Sequence, residues 1–522
     1  MADLRPDDGP TSGDPARPSH ARSGGRRASL RTGAIVAMVV LAGAAGALAI
    51  ALALGATRDG PGASALASSL SPSSSASASS SSAAQGPASG GGQGSPGSAP
   101  GSAPPSAAAG ASSAGPGAAG RVAISDGQGV LSIVDAAGGS RVTIAAPGIA
   151  FGPAAWSPDG TRVAAIGYGQ DATAIDVFDV SDAIGGGPVN PTTVYSSAVH
   201  APFYLYWSPD GSRVAFLANE ATGISLRIAP ADGSPPRDGP AHDGIVRKGE
   251  PVYFAWERPD RLLLHVGAGA AAFTGEVGLD GAAVAPAIPG TGDFRTAVVS
   301  GDGSYLAYAE GGAGSARIVA VGRDGGSPRH LPVLGPAAFA FDPTGSTLAS
   351  IAAIDPGAIP VSFPLGPLRL LDPATGAVRT LMDGSVIAFF WSPDGRRIAT
   401  LELAAPGGPS AGVPSVVEAS TAGRQLAAAT PAPAVEVHLS FVDVASGQVR
   451  GDRAIQLGDE FISTILPYFD QYALSHRLWA PDSTAIVLPL VDARGRARVV
   501  VVGAGGTAPR TISEATSGFW SP

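Results

Sequence analysis

The sequence predicts an all-β chain, a β-propeller of about eight four-stranded blades, from three observations. A short phrase built on an aromatic residue, Ser, Pro, Asp and Gly recurs from Arg121 onward, mostly every 40–50 residues. Turn-forming residues are abundant, with 73 Gly and 47 Pro in 522. The two ends of the repeat region carry complementary pieces of a single blade.

The phrase reads AAWSPDGTRVAAI at Trp156, LYWSPDGSRVAFL at Trp207 and FFWSPDGRRIATL at Trp391. Weaker copies surround Trp256, Val299, Phe341 and Trp479, and a bare GFWSP ends at Pro522. The spacings are 51, 49, 43, 42, 50, 88 and 41 residues. In each copy an apolar strand ends at the aromatic, which packs between neighbouring blades. Pro then fixes φ, Asp bonds the local backbone and Gly takes φ > 0, so the chain turns into a second strand. Third strands such as AIDVFDV (174–180) and fourth strands such as PTTVYS complete the blade.

Residues 121–146 supply a second, third and fourth strand without a first, whereas GFWSP is a first strand with nothing after it. Together they make one blade, so the final strand is expected to close the ring and leave no exposed sheet edge. Counting that blade gives eight; seven is the alternative if the copies at Val299 or Phe341 are incomplete.

Over about 400 residues the repeat resembles the TolB-like, WSPDG-type propeller repeat, also found in the propellers of prolyl-oligopeptidase-type peptidases. The resemblance implies the fold more than the function, because propellers host binding proteins, lyases, lactonases and peptidase gates alike. TolB is a periplasmic protein-binding scaffold, which implies a binding role. The peptidases add an α/β-hydrolase domain, for which no residues remain here.

The N-terminal part reads as an address. Residues 1–32 are rich in Pro, Gly, Asp and Arg without apolar periodicity, and are expected to be a disordered cytoplasmic tail. Gly33–Ala56 carries no charge over 24 residues, about 36 Å of helix, enough to span a bilayer core of about 30 Å. Arg17, Arg22, Arg26, Arg27 and Arg31 precede it, so the positive-inside rule puts the N-terminus in the cytoplasm and the repeat region outside. A cleaved signal peptide, with ALA at 51–53, is the alternative and would give a secreted form. Residues 57–120 form a Ser/Ala/Gly/Pro linker with too little apolar surface to fold. The propeller then occupies 121–522, with a Pro/Ala-rich insertion at 404–434. Cysteine is absent, which removes disulfides and thiolate chemistry, and a net charge of −9 speaks against a nucleic-acid partner.

Signals for chemistry are sparse. A Gly-x-Ser-x-Gly string at 408–412 lies in the insertion, without the strand and helix that a nucleophile elbow needs. Asp159, Asp210 and Asp394 read as turn caps, and no metal or cofactor motif is present. The most informative stretch is FISTILPYFDQYALSHRLW, Phe461–Trp479, which gathers Tyr468, Asp470, Gln471, Tyr472, His476 and Arg477. It joins one blade to the next, a connection that in propellers lies at the channel mouth. Equivalent connections carry His200, Tyr204, Lys248, Glu250 and Arg295. Aromatics with Arg favour recognition; the same side chains could instead pack blade junctions and satisfy one another.

The leading expectation is a non-enzymatic, membrane-anchored extracytoplasmic scaffold that binds a protein, peptide or envelope glycan and needs no cofactor. The alternative is an extracellular polysaccharide lyase or hydrolase drawing acid/base groups from His200, Asp470 and His476 at the channel mouth.

Overall fold

The computed structural model describes residues 120–522 apart from 127, 137–139, 145–148, 186–188, 250–251, 268–269, 293–295, 312–316, 335–336, 353–363 and 404–435. The expected tail, membrane helix, linker (Gly120 excepted) and 404–434 insertion, with its Gly-x-Ser-x-Gly string, lie outside the described residues.

The described chain is all-β apart from short helical pieces, built of antiparallel sheets mostly of four or five strands. The Trp207 copy sets the pattern. Pro202–Trp207 pairs with Arg213–Asn219, which pairs with Ile224–Pro230, which pairs with Ile245–Gly249. Between the first two strands Asp210 Oδ1 accepts from Ser208 Oγ at 2.6 Å and from Ser212 N at 3.0 Å, while Gly211 takes φ 68°. Asp159 and Asp394 bond Ser157 and Ser392 in the same way, both at 2.6 Å. Burial pushes these carboxyls up, but the bonds from serine and backbone N–H outweigh it and hold them below the usual range. All three aspartates are therefore turn caps.

The weak copies also carry strands. Val298–Val299 opens a four-stranded sheet, and Ala337–Phe341 opens one of seven strands. The long sheet arises because Val378–Trp391 runs unbroken for 14 residues. Its first half pairs with Gly366–Leu371 and its second with Arg397–Leu403, so one strand ends one repeat and begins the next. The terminal strands share a sheet: Ser517–Trp520 pairs with Arg121–Ser125, Val122 opposite Trp520 and Ser125 opposite Ser517.

Second strands are buried almost throughout rather than in alternation; Val214 to Ala218 and Leu262 to Val266 are at most 5% exposed. Each sheet is packed on both faces, so both faces must be apolar. The packing has a polar stitch. Trp207 donates its indole N–H to the carbonyl of Ala155, the residue before Trp156, at 3.0 Å. Trp156 reaches Phe519, Trp256 reaches Tyr206, Trp391 reaches Ala340 and Trp479 reaches Phe390, at 3.0–3.2 Å. In every case the acceptor precedes the aromatic of the previous copy. A buried indole N–H must find an acceptor, and this one is supplied by the repeat itself. Trp520 makes no such bond within the described residues; its indole nitrogen is buried without a partner, and its backbone N–H donates to Arg477 O at 2.8 Å.

Because each indole reaches the Trp end of the preceding sheet, the inner strands of stitched neighbours run in the same direction. The ends at which those strands begin therefore lie on a common, opposite edge.

Candidate functional site

Phe461–Trp479 is not an irregular loop. It forms a π-helical turn at Phe461–Ile465, a 3-10 turn at Leu466–Tyr468 and an α-helix at Phe469–Ser475. Leu457 bridges Leu490 before it and Trp479 bridges Ile486 after it, so the segment is an excursion within what would otherwise be the inner strand of the last sheet. Phe461, Ile465, Phe469, Tyr472 and His476 follow at intervals of four, four, three and four, which puts them on one helical face. That face is buried.

The helix touches the inner strands of several sheets, Pro202–Trp207, Val252–Arg258, Ala337–Phe341 and Val378–Trp391. Phe469 packs edge-on against Phe389 and Phe390, with ring centres 5.5 and 5.8 Å away. Tyr472 stands edge-on to Tyr204 at 5.2 Å. Tyr204 Oη lies 3.1 Å from the Gln471 carbonyl and 2.9 Å from Ser475 Oγ, which is 2.7 Å from His476 Nδ1. His476 also packs edge-on against Phe519 at 4.7 Å, so the helix is fastened to the terminal strand as well.

Burial sets the electrostatics here. It pushes the Tyr204 and Tyr472 hydroxyls well above the ordinary tyrosine range, and it pushes His476 down to about 3. His476 is thus a neutral imidazole at neutral pH, and its Nε2 is buried without a partner among the described residues, as is Gln471 Nε2.

The structure divides the residues marked by the sequence. Tyr204, Gln471, Tyr472 and His476 come together in the interior, and Asp470 is buried beside them, 6% exposed. Tyr468, 42% exposed, stands at the start of the helix against Tyr253, ring centres 6.2 Å apart. His200 is held elsewhere, 3.2 Å from Glu220 and 3.1 Å from the Asn219 carbonyl. Lys248 is exposed on the outer strand Ile245–Gly249, and Arg477 is exposed past the end of the helix. Glu250 and Arg295 lie outside the described residues. No three His, Asp or Glu side chains converge as a metal site would require among the described residues.

Sequence reasoning marked Tyr468 but missed the other exposed apolar residues. Ile149, Tyr168, Val199, Phe203 and Tyr468 are five of the eight large apolar side chains that stand exposed among the described residues. Ile149 and Val199 precede inner strands, Phe203 begins one, and Tyr168 ends a second strand opposite Ala150. All four therefore belong to the edge at which inner strands begin, and Tyr468 reaches it beside Tyr253. The aromatic cluster in VHAPFYLYW was a signal, but the strand's alternation alone does not tell which aromatic is covered.

No protein-family profile matches the chain, and no curated protein matches it. Among solved structures it is remotely similar to a eukaryotic initiation factor, with TM-score 0.45, 10% identity, and 77% of this chain and 99% of that one covered. Oligogalacturonate lyase in complex with manganese gives TM-score 0.39 and 12% identity over 76% and 86% of the two chains. TolB from Acinetobacter baumannii gives TM-score 0.30 and 16% identity over 50% of this chain and 62% of TolB. The resemblance is thus to β-rich structures of unrelated activities, TolB among them, and at these scores it assigns neither a family nor a function.

Proposed function

We propose that the chain is a binding scaffold for a protein or peptide, which docks on the edge carrying Ile149, Tyr168, Val199, Phe203 and Tyr468. The observation that carries this reading is that five of the eight large apolar side chains exposed among the described residues lie on that edge, while the helix Phe469–Ser475 fills the interior between the inner strands. Contiguous exposed apolar surface costs solubility and marks interaction sites. Lys248, at the end of its strand, and Tyr468 join that surface. Tyr204, Gln471, Tyr472 and His476 have the role of holding the helix in place.

The fold behind this reading is a ring of eight blades, completed by the terminal strands. Support comes from the five indole stitches and from the pairing of Val122 with Trp520. With the membrane anchor expected from the sequence at 33–56 and the linker at 57–120, the scaffold would act outside the cytoplasm.

Photo-crosslinking in intact cells tests this, with the probe at Phe203 and a control at exposed Arg396 on a Trp-end turn. A discrete protein adduct at Phe203 alone is expected. Equal labelling at both positions, or no protein adduct at Phe203, overturns the reading.

A further inference from the structure

All six tryptophans of the chain occupy the repeat position, at 156, 207, 256, 391, 479 and 520. At five junctions between consecutive copies an indole fills the space and donates to the carbonyl one residue before the previous aromatic. The copy at 299 has valine. Its equivalent acceptor is the carbonyl of Ala255, the residue before Trp256, and no indole is there to reach it.

The space remains. A cavity of about 160 Å³ lies at this junction, walled by Ala255, Trp256, Val299 and Tyr206, with Glu257 beside them and Gly301 at the rim. Gly301 is exposed and Val299 only half-buried, so the cavity communicates with solvent at the Trp end. Glu257 is ion-paired with Arg323, whose other nitrogen holds Glu276 at 2.9 Å. The Glu257 charge is thus met through Oε1, while Oε2 is buried without a hydrogen-bond partner among the described residues, so the site suits a neutral ring that carries an N–H donor. A ring N–H would also find an acceptor placed as in the other junctions.

The geometry points to this junction as an acceptor site for an indole from outside the fold, a tryptophan side chain of a partner polypeptide that completes the missing stitch. The chain cannot supply that indole itself, since none of its tryptophans is spare. The site lies on the edge opposite the apolar surface proposed above, and it stands or falls independently of that reading.

The test uses the full chain and two probes, N-acetyl-5-fluorotryptophan amide and 5-fluoroindole, followed by 19F line broadening. Saturable binding of both is expected, with a dissociation constant on the order of 0.1–1 mM for so small a ligand. Val299→Trp should weaken it at least tenfold and raise the melting temperature. Val299→Phe, which the repeat already tolerates as Phe341, serves as a second block should Val299→Trp misfold. No binding by wild type, or undiminished binding when both blocking variants are folded, overturns the proposal. Binding of 5-fluoroindole without the capped amino acid overturns the assignment to a polypeptide.

Discussion

Tyr204→Phe is the sharpest probe of the buried helix. Tyr204 is 5% exposed, and its hydroxyl bridges the Gln471 carbonyl and Ser475 Oγ, 267 and 271 residues away in sequence. Phenylalanine keeps the ring contacts with Phe254 and Tyr472 at 5.5 and 5.2 Å, so the change isolates the hydrogen bonds. The hydroxyl has one proton, so it donates to one of these oxygens and can accept from the Ser475 hydroxyl; losing both interactions in a buried setting costs about 1–3 kcal/mol. Tyr472→Phe is the control, because its hydroxyl bonds no described residue, and it should cost under about 0.5 kcal/mol. Urea unfolding of the two variants measures the difference, and amide exchange locates it, with faster exchange expected over 469–476 in Tyr204→Phe. If both variants unfold at the wild-type midpoint, the helix is not anchored by Tyr204 and the account of the interior fails.

His476 makes stability depend on pH. Its folded value, about 3, lies below the unfolded value of about 6.5. The unfolded chain therefore binds the extra proton, and this stability is full above pH 6.5 and lost as pH falls from there toward 3. The loss between pH 7 and 5 should be about 2 kcal/mol, absent from His476→Gln, as read from urea midpoints at the two pH values. Trp207→Phe removes the 3.0 Å bond to Ala155 and leaves a smaller ring under Arg162, 4.9 Å away in the wild type; a destabilisation of about 1–3 kcal/mol is expected in the same assay. Deleting 517–522 uncovers the edge of Arg121–Ser125. Thermal melting and light scattering should then show a lower melting temperature and self-association, and an unchanged melt would count against the terminal sheet as a structural element.

The repeat was legible because its chemistry is local. In SPDG the serine, aspartate and glycine satisfy one another within five residues, so the turn and the strands beside it follow from the phrase alone. The pairing of the chain ends was legible from the missing and surplus strands at 121–146 and 517–520. Phe461–His476 has helical spacing with Pro467 inside it, but its place between two blades gave only a connection. A proline near the start of a helix is tolerated, and here it falls in the first turns.

By itself, then, the sequence determined an all-β repeat architecture, the turn-capping role of Asp159, Asp210 and Asp394, and which strands would share the terminal sheet. Each depends on contacts between near neighbours or on a simple count of strands. Only the tertiary structure decided that Tyr472 and His476 are interior while Tyr468 and Phe203 face solvent, that the indoles stitch copy to copy, and that Val299 leaves a cavity. Those outcomes depend on which strands, tens to hundreds of residues apart, meet in space. A side chain's exposure belongs to its neighbours as much as to itself.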